Sequence, residues 1–460
     1  MPKKILAQQA GLCFLFVAMF AAVAGVVPFH DDWTYLTAPI ADFDWRMLLP
    51  GDSFWRPFDV LWGALMGVWT NTWPLANRIA ICSGHCVNAL LLYKIFSRLA
   101  DKKSGLFAAA FFAVNSAVAA TIVNTDTINQ VWSLSFGLLA LRVSLSHRHL
   151  TAYLLILLSV LFKESGVSWL AVIPLVLAYQ MWKSADGRES RIAVILFLAK
   201  RAFVGVGFLV GYLAIRFLLR GDITLGSGSY QLGFNVVEIF KNLSIALIVP
   251  LSGIDAFAFV KGCYLVAGLT VILAFAFWCL LAGCDNAWTS KGLSGFVTKI
   301  LVAGAMSVAL ALPHCCMVAT HPAEIHFYPV LFAGTWLISQ VDFAKCSRIT
   351  IGALVAAFVV LNAIVWTDKM SAVYASSERT DQLLSELRAK SLDYSKPLYV
   401  VVNADKSVIP YSVFSQTAAH GVDFGGACRL FNSWHPVDYR IIKPWMISEL
   451  PSGSQVIRIK

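Results

Sequence analysis

Three short stretches of the chain bring together side chains that could move a proton and hold an anion. The first is "FHDDWTYL", residues 29–36, in which His30 precedes two adjacent carboxylates, Asp31 and Asp32. Its loop continues through Asp42, Asp44 and Asp52 to "FWRPFD", mixing acids with Trp33, Trp45, Phe54 and Trp55 and one stiff Arg56-Pro57 step. A carboxylate there can serve as general base for a hydroxyl. A guanidinium offers a planar, two-pronged site for a phosphate. The second stretch, "FKES", sets Lys163 and Glu164 between two apolar runs, and the third, "ATHPAEIHFYPVLFAG", carries His321, Glu324, His326 and Tyr328. Each has a plainer reading. Asp31 and Asp32 would suit a helix cap or a wetted loop, Trp45 an interfacial anchor, and Lys163 with Glu164 a neutralised pair bounding a hairpin. His321 and His326 stand five apart, a poor helical pair for a metal, which argues against zinc.

The elements that must position these groups are membrane spans. Of 460 residues 58% are hydrophobic and only 13% charged, with a mean hydropathy of +0.71, outside the range of soluble globular chains. Apolar runs long enough to cross about 30 Å of hydrocarbon recur. The pattern predicts about eleven spans, near 5–27, 75–97, 105–123, 131–146, 149–163, 166–182, 192–217, 262–283, 297–317, 327–345 and 349–367. The first is too long for a cleaved signal peptide and is expected to stay as an anchor. Residues 234–251 contain Glu238, Lys241 and Asn242, and a surface-lying helix suits them better.

Charge placement gives an expected orientation. The net charge is +10, and Lys3, Lys4, Arg98, Lys102, Lys103, Arg142, Arg148, Lys183, Arg188, Arg191, Lys200, Arg201, Lys291, Lys299, Lys345 and Arg348 fall on every second connection. Those connections are cytoplasmic by the positive-inside rule. The basic excess therefore needs no nucleic-acid partner, and all three chemical stretches fall on the opposite, outer face, periplasmic if the host is a bacterium. The ten cysteines lie mostly in or beside apolar spans, where a thiol packs as a small hydrophobe. No CxxC or Cys/His spacing suggests a metal or a disulfide framework, and Cys428 in the tail reads as structural.

From Met370 the composition changes. "SAVYASSERTDQLLSELRAK" has helical spacing, while "KPLYVVVNAD" and "SGSQVIRIK" read as strands. The chain is thus expected to be an all-α polytopic membrane domain over residues 1–369, with a first outer loop at 28–74 that carries the chemistry. A small soluble α/β extracytoplasmic domain would follow over 370–460.

An outer Asp-Asp after the first span, then "FWRP", "FKES" ahead of a long apolar run containing Pro174, and "HFYPVLFAG" near the end resemble, in that order, the glycosyltransferase C superfamily. Its members are multispan transferases using polyprenyl-phosphate-linked sugars, and the chain looks similar to protein O-mannosyltransferases and the lipid A aminoarabinose transferase over about residues 5–370. The resemblance implies a donor of that kind, including undecaprenyl carriers, and an acceptor glycan, lipid or exported protein. It assigns Asp31 or Asp32 as catalytic base and Arg56, Lys163 and His326 to the donor phosphate. Glu164 would hold Lys163, with His30, His321, Glu324 and Tyr328 in support. No cofactor is required by this scheme; if a divalent cation takes part, Asp31 and Asp32 would hold Mg, Mn or Ca, the metals that favour oxygen ligands. The chain departs from the pattern where relatives carry His-Pro and then an acid. Here Asn115 and Ser116 replace the His-Pro, Ala119 or Ala120 stands in the acid's place, and Asp126 is the nearest substitute. Two other readings compete. A lipid-linked glycan ligase or polymerase would share the substrate type. A lipid or glycan transporter would draw on Arg78, His85 and Asn88 in the second span.

Overall fold

The computed structural model describes residues 3–27, 44–50, 55–67, 73–184, 188–220, 235–254, 258, 262–284, 290–316, 324–343, 345–402 and 437–459. His30, Asp31, Asp32, His321 and Cys428 lie outside the described residues. The described chain is overwhelmingly helical. Its helices are α1 (Lys3–Val23), α2 (Pro57–Gly67), α3 (Trp73–Leu99), α4 (Lys102–Val114), α5 (Ala119–Val123), α6 (Ile128–Ser144), α7 (His149–Phe162), α8 (Trp169–Ser184), α9 (Arg188–Arg220), α10 (Val236–Ser252), α11 (Tyr264–Cys284), α12 (Ser290–Cys315), α13 (Leu331–Ser339) and α14 (Arg348–Ala389). Six are long and apolar enough to cross a membrane, or seven if α4 and α5, bent by 44° at Ser116, form one span. This makes the chain a multi-pass membrane protein. Three shorter apolar helices, Cys13–Val23, His149–Phe162 and Ile325–Ser339, fall where the hydropathy pattern predicts full spans. Among the described residues, length alone thus accounts for six or seven of the expected eleven, and the three shorter helices stand where further spans are expected.

The α4–α5 break shows how such interruptions are sustained. Asp101 caps α4, accepting from the Lys103 and Ser104 amides at 2.7 and 3.1 Å. Against a modest desolvation, the Ser104 hydroxyl and those two amides hold its carboxyl below the usual carboxylate range. The helix ends at Asn115, whose extended backbone starts a 3-10 turn, Ser116–Val118, and whose side chain accepts from Ala117 N at 2.9 Å. In hydrocarbon each freed backbone group needs a partner, and α14 supplies them. Asn362 Oδ1 accepts from Ser116 N at 2.6 Å, Lys369 Nζ donates to Ser116 O at 3.2 Å, and Trp366 Nε1 donates to Val114 O at 3.2 Å.

α3 does the same from the other side. Arg78 Nη1 donates to Val123 O and, at 3.3 Å, to Ile122 O. Asn77 Nδ2 donates to Thr125 O at 2.8 Å, and Asn88 Nδ2 to Val131 O at 3.0 Å. His85 Nε2 lies 3.1 Å from Ala113 O, which can only accept, so Nε2 carries the proton and Nδ1 accepts from the Tyr328 hydroxyl 2.8 Å away. The polar residues that suggested a transport path are thus engaged in joining helices.

The core is aromatic and close-packed. Trp169 of α8 meets Phe332 edge-on at 5.2 Å, and Tyr179 meets Trp336 at 4.9 Å. Gly137 of α6 lets the Trp169 indole lie against the backbone. α10, the expected surface helix, is capped by Asn235 and packs on α12, with Asn242 buried and donating to Cys315 O at 3.5 Å. Val236, Val237 and Phe240 remain exposed.

α14 runs for 42 residues without a break past Met370. Beyond it, β1 (Leu398–Val402), β2 (Tyr439–Ile442) and β3 (Gln455–Ile459) form a parallel sheet in the order β2-β1-β3. β1 and β3 are the two strands the sequence pattern predicts. β2, only four residues of which alternate, was not foreseen.

A Cβ at position 137 would overlap the Trp169 ring. Gly137→Ala should therefore destabilise the protein by about 1–3 kcal/mol, read as a lower thermal unfolding midpoint in detergent, whereas Gly207→Ala, with open space around it, should not.

Candidate active site

Arg56 and Glu164 meet across 108 residues of chain. Arg56 Nε donates to Glu164 Oε2 at 2.7 Å, and the Trp55 backbone N–H donates to Oε1 at 2.8 Å. One carboxylate thus fixes both a charge and a peptide of the "FWRP" segment. The local sequence prepares the segment for it. Asp44 caps a 3-10 turn, Trp45–Leu48, by accepting from Arg46 N at 2.9 Å. Trp55 Nε1 then donates to Leu48 O at 3.0 Å. Pro57, pre-set for a helical φ, opens α2. Two ring contacts hold the segment in place: Trp55 stacks on Tyr212 of α9 at 5.5 Å, and Phe58 on Phe162 of α7 at 5.2 Å. Trp45 itself is 62% exposed, as suits an anchor.

The sequence reading pairs Glu164 with Lys163, and the structure corrects this. Lys163 is extended (φ −156°, ψ 129°) where α7 stops, and Glu164 begins a 3-10 turn, Glu164–Ser168. Adjacent side chains at such a corner diverge. Glu164 faces Arg56, while the buried Lys163 Nζ lies 3.5 Å from Asn129 Oδ1. Asn129 Nδ2 in turn donates to Asp59 Oδ2 at 2.9 Å. Asp59, on the first turn of α2, is itself buried, so a lysine–amide–carboxylate chain ties α2 to α6 and α7 beneath the Arg56–Glu164 contact. The Arg56 and Glu164 side chains are 17% and 27% exposed, which sets this pair apart from a freely solvated surface ion pair.

His326, in the turn Glu324–Phe327, is buried and stacks on His314 of α12 with ring centroids 4.3 Å apart and an 11° interplanar angle. Both rings lie in the electrostatic field of Lys163 and Arg56. His314 and His326 thus stand in one cluster with Lys163 and Arg56, in which Glu164 is paired with Arg56 and Asp59 is linked through Asn129 to Lys163. His314 was missed. Among the described residues both its ring nitrogens are buried with no hydrogen-bond partner, so they are available for a group that enters the cluster. Its sequence signal was a histidine after Pro313 at the end of a span. Tyr212 and Arg216, buried and four apart on α9, were also missed, although that spacing puts both on one helix face.

Tyr328 does not join the cluster. Its hydroxyl donates to His85, accepts from Asn88 Nδ2 at 3.1 Å, and sits in the core against Phe112. Only the backbone of Glu324 is described. Among the described residues no group of three His, Cys, Asp or Glu side chains is placed to hold a metal ion.

The first loop is fixed at its other end as well. Val27 N donates to Ser377 Oγ of α14 at 2.7 Å, and the Tyr374 hydroxyl to Ala22 O at 2.8 Å. The segment holding Asp31 and Asp32 thus departs from an anchored root and returns to the Glu164 carboxylate.

Neither a family model nor a curated protein sequence matches the chain. Among solved structures, the chain is similar to an oligosaccharyltransferase of Archaeoglobus fulgidus, in complex with Zn and sulfate, at 13% identity and a TM-score of 0.39. The similarity covers 89% of this chain and 61% of that one, so this chain spans less than two thirds of that protein's length. At that distance the likeness carries no argument about this chain.

The Glu164 clamp is measurable. A double-mutant cycle on Arg56→Ala and Glu164→Ala, followed by thermal unfolding, should give a coupling of about 1 kcal/mol. Glu164→Ala should cost more than Arg56→Ala, since it also leaves the Trp55 amide without its acceptor.

Proposed function

We propose that the chain is a membrane glycosyltransferase that moves a sugar from a polyprenyl-phosphate donor to an acceptor hydroxyl on the outer, in a bacterium periplasmic, face of the membrane. The observation that carries this reading is the joining of "FWRP" to "FKES" through Glu164, beside the buried Lys163 and the His314–His326 stack. Two segments far apart in sequence would hardly be locked together at a polar site inside an apolar bundle for packing alone. A phosphate is the anion that Arg, Lys and His groups in this setting would accept.

In the reaction, the acceptor oxygen bonds to the anomeric carbon as the bond from that carbon to the phosphate oxygen breaks. The hydroxyl proton passes to Asp31 or Asp32. The lipid phosphate departs as an anion toward Arg56, Lys163 and the histidine pair, which stabilise the charge as it forms. A bilayer-embedded enzyme suits this chemistry because the donor's tail never leaves the lipid. The domain over 1–369 would hold the donor, and the region over 370–460 would face the acceptor, whether glycan, lipid or exported protein. A divalent cation, if used, would sit on Asp31 and Asp32. The transporter reading loses its main support because Arg78, His85 and Asn88 are bonded to helix-break carbonyls and to Tyr328.

The test is mass spectrometry of surface glycans and exported glycoproteins from a deletion strain carrying wild type, Asp31→Asn or Asp32→Asn. One sugar unit should vanish on deletion, return with wild type, and stay absent with at least one Asn variant at normal expression. Full transfer by both single variants and by the double variant would overturn the proposal. Accumulation of lipid-linked intermediates with unchanged glycans would favour a ligase or a transporter.

A further inference from the structure

A large void lies away from the candidate active site. It is a cavity of about 800 Å³ lined by α1, α4, residues Ala89, Leu90 and Tyr93 of α3, and the Trp366 edge of α14. Its cause is the small residues that face it: Gly11, Ala18 and Ala22 on α1, and Ala109, Ala110 and Ala113 on α4. A Cβ built on Gly11 would meet nothing within 4 Å, so the two helices stand apart there. The lining is almost wholly hydrocarbon, its polar side chains being Tyr93, Trp366 and two lysines. Lys102 and Lys103, exposed on the first turn of α4, stand at one end.

Length and charge together identify an occupant. The 13 residues of α4 span about 20 Å, somewhat more than the roughly 15 Å of half a hydrocarbon core. The groove therefore runs inward from one membrane surface through a single leaflet. With about 30 Å³ per water-sized group, its volume holds roughly 25 methylenes, enough for one acyl chain and part of a second and far less than a long polyprenyl tail. Its polar end carries two positive charges and lies on the side that the positive-inside rule assigns to the cytoplasm. Asp101, the acid beside them, is engaged with the amides of Lys103 and Ser104 and with the Ser104 hydroxyl.

We infer that this crevice binds one anionic phospholipid of the cytoplasmic leaflet, with one acyl chain seated along α1 and α4, the second at the open side of the groove, and its headgroup phosphate at Lys102 and Lys103. A polyprenyl phosphate presented from the opposite face would have to enter inverted. The site is thus separate from any donor groove, and the inference stands whether or not the chain transfers sugar. Bound there, the lipid fills the gap between α1 and α4 and steadies the helix from which the first outer loop departs.

The experiment uses the full chain in detergent micelles, titrated with dioleoyl phosphatidylglycerol, dioleoyl phosphatidylcholine or undecaprenyl phosphate and read by native mass spectrometry. One phosphatidylglycerol should bind more tightly than either of the others. Lys102→Gln with Lys103→Gln should weaken it roughly 25-fold, at about fivefold per lysine, and leave phosphatidylcholine unchanged. Ala110→Trp, or Gly11→Leu should the first fold poorly, fills the groove without touching the lysines and should abolish retention. Equal retention of the two phospholipids, an unaffected lysine variant, or preference for undecaprenyl phosphate would overturn the inference.

Discussion

In hydrocarbon a backbone amide or carbonyl without a partner costs several kcal/mol, and this protein breaks its helices where that cost applies. The bundle depends on how the breaks are closed. α3 and α14 flank the α4–α5–α6 region and carry the side chains that receive its free groups: Asn77, Arg78 and His85 from one, Asn362, Trp366 and Lys369 from the other. Buried polar residues in a span often mark a permeation path. Here they are the condition for short helices and 3-10 turns to exist at this end of the bundle.

The turns matter because chemistry-bearing residues sit on them. Glu164 follows the end of α7, His326 is in the turn before α13, and Arg56 precedes α2. A straight span would point such groups at lipid or at the core. A break at the span end lets Lys163 and Glu164, adjacent in sequence, serve different partners. Glu164 settles the approach of the first loop, while Lys163 lies among Asn129, Asp59 and the histidine pair.

Much of this was legible in the sequence as types and order. Arg56, Lys163 and His326 can be grouped from sidedness alone, since alternating spans send "FWRP", "FKES" and "HFYP" to one face. Direction was not legible. Whether Glu164 turns to its neighbour or to a residue 108 positions away depends on φ and ψ at the helix end, which hydropathy does not encode. Tyr328 reads the same in a site as in a core, and only its bonds to His85 and Asn88 separate the two. His314 was hidden because a single histidine at a span end has no local pattern. Span continuity was hidden for a related reason: hydropathy reads 105–123 as one run, while the backbone breaks at Asn115.

The length of α14 has a mechanical meaning. At 1.5 Å per residue its 42 residues extend about 63 Å, roughly twice a bilayer's hydrocarbon thickness. Along that one rod lie the contacts to the α4–α5 break, the root of the first loop through Tyr374 and Ser377, and then the sheet, whose β3 packs against it. A rod with no joint transmits torque. A push on the sheet would turn Ser377 and Asn362 together, so load there reaches both Val27 at the root of the first loop and Ser116 at the α4–α5 break.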